Sequence, residues 1–321
     1  MKSPARFMLP GLLALSALAG CGAPAMTGAP ALGQPASAAM LARAAETDES
    51  LLLDARRRSG FRFGLGADLK GAKGVTVDGE DGGALIGFET MASRPVSIDL
   101  RRQCSPVANQ GQFGSCTSFA TVKGLQEFLL RKRGNDEPQS PAYIWYQTRA
   151  AMGMRNEDSG APMELATKML DNLGTVDEAA FPYLDAKGQE DAKLRQEFLS
   201  RKPGSDLVAA AKKKRIVSGF SVATKLSAVR TSLEKGMPVL LGMMVFQSIG
   251  KTGKDGLMPI PTDNDKFMGG HAVLAVGYDD KKQVLIIRNS WGSDWAAGGY
   301  FLMPYSYVKM GGLRVAVVPK T

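Results

Sequence analysis

The stretch MGGHAVLAVGYDDKKQVLIIRNSWG, Met268 to Gly292, decides how the chain is read. Two apolar runs, His271 to Tyr278 and Val284 to Arg288, flank the polar turn candidate Tyr278-Asp279-Asp280-Lys281-Lys282, the pattern of an antiparallel hairpin. Asp280 is the midpoint between Asn289 and His271, the single histidine of the chain. In that register the two residues face each other across the strands, with Cβ atoms about 4.5–5.5 Å apart. An asparagine oxygen can then accept from one imidazole nitrogen and aim the other outward.

The outward nitrogen needs a partner, and NQGQFGSCTSFA, Asn109 to Ala120, offers one in Cys116. Phe119, Val122, Leu125 and Leu129 recur at three- and four-residue steps, which predicts a helix from about Cys116 to Arg133, ended by Gly134-Asn135. A thiol in the first turn of a helix meets unsatisfied N–H groups and the positive end of the dipole, and an imidazolium stabilises the thiolate further. Such settings bring cysteine pKa values to roughly 3.5–7.5. The reading therefore expects a resting thiolate–imidazolium pair able to attack a carbonyl at neutral pH. The backbone N–H of Cys116 and the side-chain amide of Gln110 are the expected donors to a tetrahedral oxyanion.

Further helices are predicted over about 141–151 and 162–173, the latter stopped at Gly174. From Ile216 onward short β-like runs take over: 216–222, 237–241, 271–278, 284–288 and 299–303, interrupted by one helix over about 225–235. The apolar run Met237 to Phe246 is too short to span a membrane and reads as a buried strand. The class is α+β, a helical half (about 100–204) before a β-rich half (about 205–321), with the expected cleft at their seam.

Residues 1–20 carry Lys2 and Arg6, an apolar core from Phe7 to Leu18, and then Leu-Ala-Gly-Cys, the pattern of an export signal. Leu18-Ala19-Gly20-Cys21 resembles the lipobox of bacterial lipoproteins, which implies lipidation of Cys21 and attachment to a membrane of the bacterial envelope, on its periplasmic or outer surface. Residues 21–50, rich in Ala, Pro and Gly, read as a flexible tether, and 51–96 as a pro-segment or linker before a domain over 97–321. The net charge of +9 favours acidic surfaces. It does not point to nucleic acid, because its densest cluster, Lys212 to Arg215, reads as a solvated element end with no aromatic ladder. Three cysteines exclude a disulfide framework, and Cys104 is expected to stay reduced as a small apolar residue. No His/Cys cluster has metal-ligand spacing, so no metal or cofactor is expected.

QGQFGSC, GGHAVLAVGYD and NSWGSDWAAGGYF resemble, in order and spacing, the cysteine, histidine and asparagine blocks of papain-like cysteine peptidases, over about Ser97 to Val308. The resemblance implies a two-lobed papain-like fold, with a helical left lobe, a β-barrel-like right lobe and the active-site cleft between them. It implies Cys116 as nucleophile, His271 as general base and acid, Asn289 as its orienting residue and Gln110 as oxyanion donor. It further implies that Trp291 shields the Asn–His hydrogen bond, and that Gly160, in EDSGAPMELA, pairs its backbone with substrate. Gly270 stands where the family commonly has Asn or Asp before the histidine, Thr117 where it has Trp, and Phe113 where it has a cysteine of a cleft-bracing disulfide. The implied activity is that of a monomeric endopeptidase acting on peptides or proteins. The alternatives are an acyl or amide transferase on the same scaffold and a catalytically silent, peptide-binding lipoprotein.

Overall fold

A computed structural model describes residues 35–45, 47, 52, 56, 59–72, 74–78, 94–217 and 219–320. Cys21 and the export signal lie outside the described residues. Everything described belongs to one compact unit beginning at Gln34.

The β-rich half is a seven-stranded sheet of β2 (Ser97–Asp99), β4 (Phe220–Val222), β5 (Val239–Phe246), β6 (Phe267–Asp279), β7 (Val284–Arg288), β8 (Tyr300–Pro304) and β9 (Leu313–Pro319). Its order is β4-β9-β5-β6-β7-β8, with β2 also on β6. The expected β-barrel-like lobe is thus an open sheet, since β4 and β8 end the order without pairing. All eight residues of β5 are buried, which explains its unbroken apolar run: it lies at the sheet's centre with both faces covered. The amphipathic helix Leu226–Glu234 places Leu226, Val229 and Leu233 in the same core.

The hairpin forms, but not in the expected register. Asp279 pairs with Val284 and Tyr278 with Leu285, so the turn centres beyond Asp280, and a bulge between Ala275 and Gly277 shifts the pairing again. Asn289 lies just past the end of β7. A bulge inserts an unpaired residue and bends the strand, an offset invisible to a strict alternation.

The helical half contains Pro141–Ala151, Met163–Leu173, Ala192–Ser200 and Ser205–Lys212. Its local chemistry follows the sequence. Ser140 caps the first helix by accepting from Tyr143 N, with Pro141 at the first helical position. Gly174, at φ +70°, ends the second. The helix begun at Cys116 runs as Cys116–Ser118, a π-helical stretch Phe119–Gln126, and Glu127–Arg131. It is the partition between two cores. Cys116, Ala120, Leu125 and Phe128 join the sheet's core, while Val122, with Phe113 just ahead of the helix, joins the aromatic core of the helical lobe. Gly124 allows close approach to the sheet, since a Cβ there would lie 3.2 Å from Leu274 Cδ2.

Described residues between Pro35 and Asp78 are built into this unit. Residues Ala38–Ala45, within the stretch whose composition suggests a tether, form a helix with Leu41 and Ala44 buried in the sheet's core. Two apolar side chains three residues apart lie on one helix face and dock this short helix. Further on, Gly74 N and Val75 N donate to Arg314 and Leu313 carbonyls, and Leu226 N donates to Thr76 O.

Candidate active site

Cys116 opens its helix, fully buried, with Ser115 at the cap position. His271 lies on β6, the strand that packs against this first helical turn. The His271 Nε2–Asn289 Oδ1 distance is 2.7 Å. Because the asparagine oxygen can only accept, Nε2 carries the proton and Nδ1 is left as the acceptor. Asn289 Oδ1 also accepts from Ser290 N at 2.8 Å, which holds the amide in that orientation. The Trp291 indole stacks on the imidazole, centroids 4.7 Å apart, and covers this pair.

Gln110 is tied to the same block: its N donates to Ser290 O, and Ser290 Oγ donates to its Oε1 at 2.6 Å. Its Nε2 donates to Phe113 O at 2.9 Å. Asn-Ser-Trp therefore does three jobs, and the middle one, Ser290, was not among the residues the sequence singled out. A hydroxyl flanked by two role-bearing residues carries no signal of its own.

The cleft is filled by the chain itself. Phe63 stacks on Trp291 at 4.3 Å, and Gly64 N donates to Gly111 O. Gly66 then crosses between the lobes, its N donating to Gly270 O at 3.1 Å and its O accepting from Ala161 N at 2.8 Å. Beyond it β1 (Ala67–Asp68) pairs parallel with β3 (Ala161–Pro162). Arg56 Nε donates to Met268 O, fastening the segment's approach. Gly160 and Gly270 form the two walls. A Cβ on either would lie 2.0 Å from a strap carbonyl, that of Gly66 or of Ala67. Gly66 is flush with the floor, since a Cβ on it would lie 2.3 Å from Gly114 O.

This cover reverses the expected electrostatics. Burial pushes the Cys116 thiol up to about 11, against weaker opposing hydrogen bonds from Ala272 and Gly66. Burial likewise brings His271 down to about 4, with Asn289 pulling the other way. With water excluded, both charged forms lose hydration, which in this closed form works against the thiolate–imidazolium pair. Cys104 is a half-buried free thiol whose Sγ lies 3.6 Å from Leu100 O.

A cysteine at a helix start, a histidine oriented by an asparagine under an indole, and a glutamine beside them define the class of thiol hydrolases. The sequence model of the papain family cysteine proteases matches residues 94–319, and the chain belongs to that family as a papain-like cysteine peptidase. The chain is 29% identical to xylellain, a cysteine protease from Xylella fastidiosa, with a TM-score of 0.64, covering 81% of this chain and 96% of that one. It is 30% identical over 228 residues to the uncharacterized peptidase C1-like protein L477 of Acanthamoeba polyphaga mimivirus, 66% of this chain and 70% of that protein. Cathepsin K of Gallus gallus is 29% identical over 233 residues, of which the chain spans 64% of the cathepsin.

Proposed function

We propose that the protein is a cysteine endopeptidase of the bacterial envelope, lipid-anchored through Cys21 and held latent by its own residues 61–69. The carrying observation is the His271–Asn289 pair roofed by Trp291, with Cys116 buried at the start of a helix that packs on the same strand. In the open site Nδ1 of His271 takes the thiol proton, the thiolate attacks the scissile carbonyl, and the oxyanion is met by Cys116 N–H and Gln110 Nε2. His271 then returns the proton to the leaving amine, and water resolves the thioester with the same base.

The direction of the strap explains how it can block without being cut. The leaving amine must depart on the His271–Trp291 side to receive its proton, so the acyl part of a substrate lies toward Gly160 and β3. A cleavable peptide thus runs from β3 toward Trp291. The strap runs from Phe63 on Trp291 to Ala67 on β3, the opposite way. Its amide nitrogens stand on the wrong side of their carbonyls for His271 to protonate.

The test is incubation of the reduced, full-length protein, before and after limited proteolysis, with denatured protein substrates and peptide libraries. Internal cleavage that is lost in Cys116→Ala and blocked by a substrate-mimicking thiol alkylator supports the reading. Probe binding without turnover in either state would refute it. Products carrying an added amine in place of water would make the enzyme a transferase.

A further inference from the structure

The loop Gln110 to Ser115, which carries the oxyanion donor Gln110 and leads into Cys116, has Phe113 in the place of the cysteine that the family resemblance assigns to a bracing disulfide. We propose that Gln189, which lies on a separate segment of the helical lobe, is the positioning residue that holds this loop for catalysis. The proposal rests on the peptidase reading above.

Gln189 is buried, and its amide spends every polar valence near this loop. Oε1 accepts from Gln112 N at 2.7 Å and Phe113 N at 3.3 Å. Nε2 donates to Gln110 O at 3.0 Å and to Leu184 O at 2.8 Å. Two donors face one end and two carbonyls the other, so the amide has a single satisfied orientation. A buried loop makes no ladder of its own and needs such partners for its backbone. Gly111, at φ +64°, lies directly beneath: a Cβ there would come within 2.4 Å of Oε1.

Neighbours complete the hold. Tyr183 OH donates to Gln110 O at 2.9 Å and meets Ser115 Oγ at 2.6 Å, while Asp158 Oδ1 accepts from Gly114 N at 2.8 Å. Arg195 joins Asp158 at 3.1 Å and reaches the Gln189 carbonyl at 3.3 Å. Gln110 is thus gripped on one side by Ser290 and on the other by Gln189 and Tyr183. An oxyanion donor works only within about 0.5 Å of its place, and a 1 Å error costs about 10²-fold.

The experiment compares Gln189→Leu, Gly111→Ala, Gln110→Ala and the Gln189→Leu/Gln110→Ala double variant, with exchange measured in the full chain and kinetics after the full chain is activated by limited proteolysis. In Gln189→Leu, kcat should fall about 10–100-fold with KM within about threefold, and backbone exchange should accelerate at Gln112 and Phe113. Gly111→Ala should move both readouts the same way by displacing the amide. The double variant should be no worse than Gln110→Ala alone, because both act through one donor. Losses that multiply in the double variant, an effect confined to KM, or unchanged exchange at Gln112 and Phe113 would overturn the assignment. Absence of thiol-dependent hydrolysis in the wild-type chain both before and after limited proteolysis would strike the peptidase reading instead, and the exchange measurement would still decide whether Gln189 braces the loop.

Discussion

Replacing Gly66 by alanine tests the strap at its tightest point. The added methyl would lie 2.3 Å from Gly114 O and 2.7 Å and 2.8 Å from the carbonyl carbon and Cα of the same residue, all backbone atoms. The strap cannot give way downward, and Gly114 is itself held by Asp158. Overpacking of this kind costs about 1–3 kcal/mol. At about 1.4 kcal/mol per tenfold, the open population should rise between about 5- and 150-fold. Cys116 is wholly buried, so alkylation by iodoacetamide requires opening and its rate follows that population when reclosing is fast. Per-cysteine mass spectrometry of the full chain should show Cys116 labelling accelerated by that factor, with Cys104 as the internal reference. Acceleration of both thiols alike would mean general loosening, and an unchanged Cys116 rate would refute the strap as the barrier.

Cys116→Ser should abolish hydrolysis without changing the thermal midpoint by more than a few degrees, because a hydroxyl does not ionise against His271; kinetics and calorimetry check this. Gln110→Ala should lower kcat by about 10²–10³ with KM little changed, the usual loss of one oxyanion donor, read from initial rates. The closed form should be most stable between about pH 6.5 and 9. His271 falls from the ordinary 6.5 to about 4, so its contribution is present above pH 6.5 and lost as pH drops toward 4. Cys116 rises from the ordinary 9.0 to about 11, so its contribution is present below pH 9 and lost as pH rises toward 11. Urea midpoints followed by fluorescence of Trp291 against the strap would show the plateau, and a midpoint that rises from pH 6.5 down to 4 would contradict it. Cys21→Ser should move the protein from the membrane to the soluble fraction with the same activity per mole, checked by fractionation.

Sequence alone determined the elements whose causes are local. Ser140-Pro141 and Gly174 bound helices because capping chemistry acts within a few residues. The wholly apolar β5 had to be a covered strand. Cys116, His271, Asn289 and Gln110 were legible because they stand in motifs with distinct chemistry, and the structure joins His271 to Asn289 and Gln110 to the adjacent Ser290. Tertiary structure alone decided what depends on distant partners. The bulge between Ala275 and Gly277 leaves no alternation to read, so Asn289 meets His271 through side-chain reach rather than strand register. Phe61 to Leu69 shows no regular period, because its backbone pairs in turn with the Gly111 loop, with β6 and with β3 rather than along one strand. Gln189 looks like any surface glutamine until the fold brings it under residues more than seventy positions away. The same rule governs the electrostatics: residue type and helix position favour the charged pair, whereas burial, a property of the folded chain, pushes the Cys116 thiol up and His271 down.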